Sequence, residues 1–151
     1  LAEAGAVHPT IPEGERSDLL VRMGPTITVV VGHLDPASGD PKMAADKANE
    51  TVPALIDTGA VESCIDDQLA KKLGLPVIDK QQCAGAGGTS THDVYLAFIT
   101  IPPLNFNQYG RFMGVHLAAG GQAHQVLLGR RLLRRMVMFY DDMTGCVRIA
   151  T

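Results

Sequence analysis

Residues 53–66 read PALIDTGAVESCID, and in that stretch an apolar run ends on an acid. Ala54, Leu55 and Ile56 have the character of a buried strand. Asp57 follows them directly, with Thr58 and Gly59 behind it. Two explanations compete. Asp57 opens an Asx-type turn one residue early, or a carboxylate is carried to the end of a hydrophobic strand to do chemistry. A surface turn has no need of so apolar an approach. Gly59 lets the backbone turn sharply and pass close to another chain, which suits the second explanation.

The 151 residues suit one domain with a proper core and are too few for two of ordinary size. Hydrophobic residues make up 46% and charged residues 19%, the balance of a globular chain. Gly 16 and Pro 9, without a long helical period, favour many turns and a mostly β chain. A net charge of −3 lacks the basic excess of nucleic-acid binders, so no nucleic-acid partner is expected. No run of 18 apolar residues is present, so this segment is expected to have no membrane span. The chain begins at Leu1, which points to an upstream segment and limits any reading of targeting signals. Cys64, Cys83 and Cys146 are odd in number and unrelated in spacing, neither a disulfide framework nor a CxxC metal pair. They read as small core residues in a reducing compartment, with the cytoplasm the expected location.

Outward from the opening stretch, residues 1–18 are small, polar and proline-containing, and read as a flexible arm or linker. Residues 19–151 then form the folded domain. MGPTITVVVG, residues 23–32, reads as a strand buried on both faces. The polar stretch 33–51 is long for a connection and reads as an excursion. VPALID is the next strand, and Pro53 near its start suits a beginning or an edge. A helix follows: Asp66 caps it, Asp67 sits in its first turn, Ile65, Leu69 and Leu73 share one face, and Gly74 stops it. PVIDKQQ and VYLAFITIP form a hairpin with the glycine-rich tip CAGAGGTSTHD. RFMGVHLAA and QVLL are two more strands, GRRLLRRM a short helix, and VMFYDDMTGCVRIA a closing hairpin. The sum is about eight strands and two short helices, an all-β chain.

ALIDTGAVESCIDDQLAKKLGL, residues 54–75, resembles the active-site segment of retropepsin-like aspartic proteases, which include retroviral proteases and cellular and bacterial relatives. VLLGRRLL, residues 126–133, is similar to that family's apolar-apolar-Gly segment leading into its C-terminal helix, and Cys83 to His92 occupies the place of its flap. The resemblance covers roughly Thr26 to Ile149. It implies a closed acid-protease barrel of six to eight strands with one or two short helices, assembled as a homodimer. Asp57, Thr58 and Gly59 are then the catalytic loop. Ala60 and the flap residues Gly85, Ala86, Gly87 and Gly88 contact a polypeptide substrate, and Gly129 and Arg130 give structural support. Neither metal nor other cofactor is implied.

The chemistry behind that resemblance needs two carboxylates close enough to share one proton, one activating water and the other acting as acid. One Asp-Thr-Gly and half the length of a two-lobed enzyme leave the second Asp57 to a second copy. Ala60 stands where pepsin-like relatives carry a serine, and without that hydroxyl a mildly acidic optimum is expected. Val61 occupies a position that is commonly acidic in retroviral relatives, so Arg130 pairs with Glu62 or with nothing. Arg131 stands where the family has an acid or amide. These departures keep a rival reading open: a catalytically silent module of this fold that dimerises or binds peptide within a larger protein.

The remaining motifs are plainer. Arg130, Arg131, Arg134 and Arg135 form a solvated basic face with one arginine used in packing, or the seat of an anionic partner. The five histidines have no zinc spacing, and GAGG lacks the Gly-Lys-Ser/Thr of a phosphate loop. Neither Ser63 nor Cys64 sits in a nucleophile elbow. Asp66, Asp67, Asp141 and Asp142 read as helix-starting and turn acids.

Overall fold

A computed structural model of the chain describes residues 4–5, 12–85 and 88–151. Strand β1 is Ala4–Gly5, helix α1 Glu13–Met23 and strand β2 Thr26–Gly32. In β2, Ile27, Val29 and Val31 face the core while Thr28 is exposed. The strand therefore alternates, where the sequence suggested burial on both faces, because only one side meets the barrel interior. β3, Glu50–Ile56, pairs antiparallel with β2. The long connection between them carries one bridge, Leu34 to Met43.

β4, Ser63–Asp66, is a short buried strand absent from the sequence reading. It takes Ile65 away from the helix face expected for it. Helix α2, Asp67–Leu73, starts where the Asp66 side chain accepts the Leu69 N–H, buries Leu69, Ala70 and Leu73, and stops at Gly74 in the left-handed region. β5, Val77–Gly85, and β6, Gly88–Ile101, form a hairpin that pairs up to Gly85 opposite Gly88. Phe106–Val115 is β7 and Val126–Leu128 is β8. Helix α3 has four residues, Arg130–Leu133, fewer than the motif GRRLLRRM suggested. β9, Val137–Asp141, and β10, Cys146–Ala150, close the chain as a hairpin.

The order β2-β3-β8-β4-β7-β6 returns to β2 through Val30–Thr100, Val31–Ile99 and Gly32–Phe98, which closes a six-strand barrel with β5 attached outside β6. All-β architecture with few helices agrees with the sequence. Val29, Val31, Val52, Ala54, Ile65, Ile99, Ile101, Val126 and Leu128 fill the interior, each almost fully buried. A side chain of this kind contributes about 1.5–3 kcal/mol on leaving water. A second sheet, β1-β10-β9, sends Val147 and Ile149 into the same core. α1 adds Leu20 to that core and crosses the boundary after Asp18 expected for a flexible arm. Among the described residues no helix is long and apolar enough to cross a membrane.

Candidate active site

The loop after β3 is held by a strand from far along the chain. β8 lies parallel to β3 on one side and antiparallel to β4 on the other, so it separates the two strands that flank Asp57. The Asp57 N–H donates to the Leu128 carbonyl at 3.0 Å, which extends that parallel pairing to the acid itself. An apolar strand delivers the carboxylate because its neighbours on both sides are barrel strands.

Asp57 is half-buried, and Thr58 and Gly59 are exposed. Asp57 Oδ1 accepts the Gly59 N–H at 2.9 Å and the Ala60 N–H at 3.2 Å. Both bonds engage one oxygen. Oδ2 has no hydrogen-bond partner among the described residues. The loop is an Asx turn in form, yet its acid stands beside exposed backbone, so the two explanations of the sequence meet in one geometry.

Behind the loop, Gly129 packs backbone to backbone. A Cβ built on it would collide with the Glu62 carbonyl and lie 2.9 Å from the Val61 oxygen. Its φ of −78° is ordinary, so closeness and not conformation requires glycine here. Its N–H donates to the buried Ser63 Oγ at 3.0 Å. The next two N–H groups, of Arg130 and Arg131, donate to the carbonyls of Ala60 and Val61 at 3.0 and 3.1 Å. Each such bond contributes about 1 kcal/mol net, and a buried partner left without its bond costs more.

Of the two arginines, it is the second that meets Glu62. Arg130 does not pair with Glu62. Its Nη1 donates to the carbonyls of Thr58 at 2.8 Å and Gly59 at 3.2 Å, bracing the loop directly. Arg131 Nε pairs with Glu62 Oε1 at 2.7 Å instead. Glu62 follows the loop by one residue more than the acid of retroviral relatives, and the arginine that meets it is also one residue later. That compensating shift was readable in the sequence as two displaced charges of opposite sign.

Asp57, Thr58, Gly59 and Ala60 are thus brought together with Gly129 and Arg130. Gly85 and Gly88 sit on the separate β5–β6 hairpin, and no hydrogen bond among the described residues ties them to the loop. Ala86 and Gly87 lie outside the described residues. Burial pushes the Cys64 thiol up to about 11, with the Asp57 charge adding to the effect, so it stays protonated and unreactive.

Sequence reasoning missed three supports. Ser63 gave no local signal. Asp66 caps α2 but also accepts the N–H groups of Leu117 and Ala118, both at 3.0 Å, pinning the segment that leads toward β8. His124, buried just before β8, meets Thr26 Oγ1 through Nε2 at 2.7 Å. Thr26 Oγ1 itself donates to the Gly24 carbonyl, so His124 Nε2 carries the proton and Nδ1 is a buried acceptor without a partner among the described residues. Burial lowers the pKa of this imidazole.

Residues 44–132 match the family model described as "Aspartyl protease". Among solved structures the chain is similar to the retroviral protease-like domain of Ddi1 from Leishmania major. The identity is 16%, over 67% of this chain and 84% of that one, with a TM-score of 0.44. No curated protein matches the chain.

Proposed function

The chain belongs to the aspartyl protease family, and from that footing we propose that it is a homodimeric endopeptidase whose two Asp57 carboxylates activate one water. The observation that carries the reading is the Asp57 loop. Its carboxylate is fixed through Oδ1 by Gly59 and Ala60, its backbone is braced by Arg130 and Gly129, and its next two residues face solvent. A fixed acid on an exposed loop is what a second, identical loop needs to meet.

In the dimer the two acids hold one proton between them, because like charges at that range do not both ionise cheaply. The ionised member takes a proton from water as its oxygen bonds to the substrate carbonyl carbon. The protonated member gives its proton to the carbonyl oxygen. Collapse of the resulting gem-diol breaks the C–N bond: one hydroxyl gives its proton to the ionised acid as the C=O re-forms, and the acid that took water's proton passes it to the departing nitrogen. Thr58 bonds across the axis to the twin loop, Gly59 and Ala60 offer backbone to an extended polypeptide, and the hairpin around Gly85–Gly88 closes over it.

An exposed apolar edge supports the dimer. β9 is an outer strand of its sheet, and Val137, Met138, Phe139 and Tyr140 along it are all exposed, with Val137 73% accessible. Such an edge invites pairing with another chain.

Peptide cleavage by wild type and Asp57→Asn, read by mass spectrometry from acid to neutral pH and over a dilution series, tests the proposal. Expected are a mildly acidic optimum, a loss of about 10³-fold or more in the variant, and activity that falls on dilution. Cleavage that survives in Asp57→Asn overturns the mechanism. Silence of both proteins with a dimer present in solution favours the peptide-binding module.

A further inference from the structure

Four of the 13 Lys and Arg residues fall between positions 130 and 135, in a chain whose net charge is −3. Arg130 braces the catalytic loop. The other three, Arg131, Arg134 and Arg135, line a surface groove of about 520 Å³ with Pro41, Gln108 and Tyr109. Arg131 lies in α3, Arg134 is its C-cap and Arg135 follows in the turn, and the groove brings all three together. A smaller hollow of about 230 Å³ shares Gln108 and Arg131 and reaches Glu62 and Ser63 at the foot of the loop.

Most of the groove's guanidinium donors have no partner among the described residues, while Asn107, also on its rim, accepts from Thr100 Oγ1 at 2.8 Å. The side chains of Arg134 and Arg135 make no ion pair or hydrogen bond with the described residues, and both are exposed. Arg131 uses Nε on Glu62, which leaves its Nη atoms without a partner among the described residues. The Gln108 Oε1 is buried with no donor among the described residues.

We infer that this groove docks an acidic stretch of polypeptide, apart from the Asp57 loop. Guanidinium groups match carboxylates in geometry and charge, and Glu62 on Arg131 already shows one acid seated this way. The apolar part of the groove distinguishes an acidic peptide, which has side-chain stems to lay on it, from inorganic phosphate, which has none. Tyr109 and Pro41 provide an apolar wall for the side-chain stems of the bound segment. Because docking needs no bond cleavage, the inference stands whether or not the Asp57 pair hydrolyses peptide.

The test is fluorescence anisotropy with a labelled Glu/Asp-rich peptide and the Asp57→Asn protein, so that turnover cannot confuse the reading. Saturable binding is expected, weakened by salt and absent for the Gln/Asn version of the peptide. Arg134→Glu with Arg135→Glu should weaken it by about tenfold or more. Both positions are exposed, so an unchanged urea midpoint is expected and shows that the fold is kept. Tyr109→Ala should weaken the peptide and leave competition by inorganic phosphate unaltered. Equal binding by the charge-reversed protein overturns the inference, as does no saturable binding. Single-stranded RNA or anionic vesicles held as tightly, with the same loss on charge reversal, overturn it in favour of a general anion site.

Discussion

The junction around Asp57 and the β5–β6 hairpin are built on opposite terms. At the junction, Asp57, Ser63, Gly129 and Arg130 are tied by bonds between two stretches of chain far apart in sequence, anchored on the buried Ser63. The hairpin keeps its ladder to Gly85 and Gly88, yet residues 77–82 and 88–91 are exposed on both faces. A strand pair with no buried face opens locally at low free energy, while a loop fixed from several sides opens only with the barrel. On the proposed reading, the difference suits an acid that must not wander and a cover that must move.

Gly129→Ala breaks the contrast most strongly. Its methyl meets backbone that cannot rotate away, so urea unfolding should show a loss of about 3 kcal/mol, at the upper end for overpacking. Cleavage should fall with it, since the loop must shift to make room. A stability change below about 0.5 kcal/mol would show that the junction yields as easily as the hairpin.

His124 sharpens the comparison through pH. Its folded-state pKa is lowered by burial from 6.5, so between those two values the unfolded chain binds more protons than the folded one. Stability is therefore full above the unfolded pKa and declines as pH falls through the folded one, with no further loss below it. Unfolding midpoints measured from neutral to mildly acidic pH should fall in wild type and fall less in His124→Gln. Parallel slopes would remove His124 from the account. Asp67 acts in a lower window. Burial opposes its ionisation, but hydrogen bonds from Lys71 and Tyr95 prevail and hold its carboxyl below the usual range. Its contribution is lost only as pH falls through that depressed value.

The smallest effect belongs to the hairpin. Thr89→Ala should alter stability by no more than about 0.5 kcal/mol, because the residue is exposed and only its backbone joins the ladder. A larger loss by urea unfolding would mean that the hairpin is buried against something in solution, which a dimer would provide.

What could be read from the sequence was local. The acid at the end of an apolar run, the Asp66 cap, the Gly74 stop and the hairpin flanking a glycine-rich tip all declare themselves within a few residues. What could not be read is set by distant partners. β4 is four residues long and exists as a strand only because β7 and β8 lie beside it. The resemblance of VLLGRRLL singled out Gly129, but its ordinary dihedrals give no local sign of the carbonyl it would strike. α1 is largely polar, begins just after Pro12 and contains Gly14, so its propensity is weak. The packing of Leu20 against the core is a tertiary gain that no local pattern displays.

The insertion of β8 between β3 and β4 also dictates when this site comes into being. Ser63 and Gly129 are 66 positions apart, and Thr58 and Arg130 are 72 apart. Contacts of such sequence separation form late, because a long loop of chain must close before they contribute. A nascent chain emerging from the ribosome has exposed Asp57 well before it has made Val126, so for that interval the acid has no cradle. Synthesis order alone therefore withholds the assembled loop until nearly the whole domain has been made.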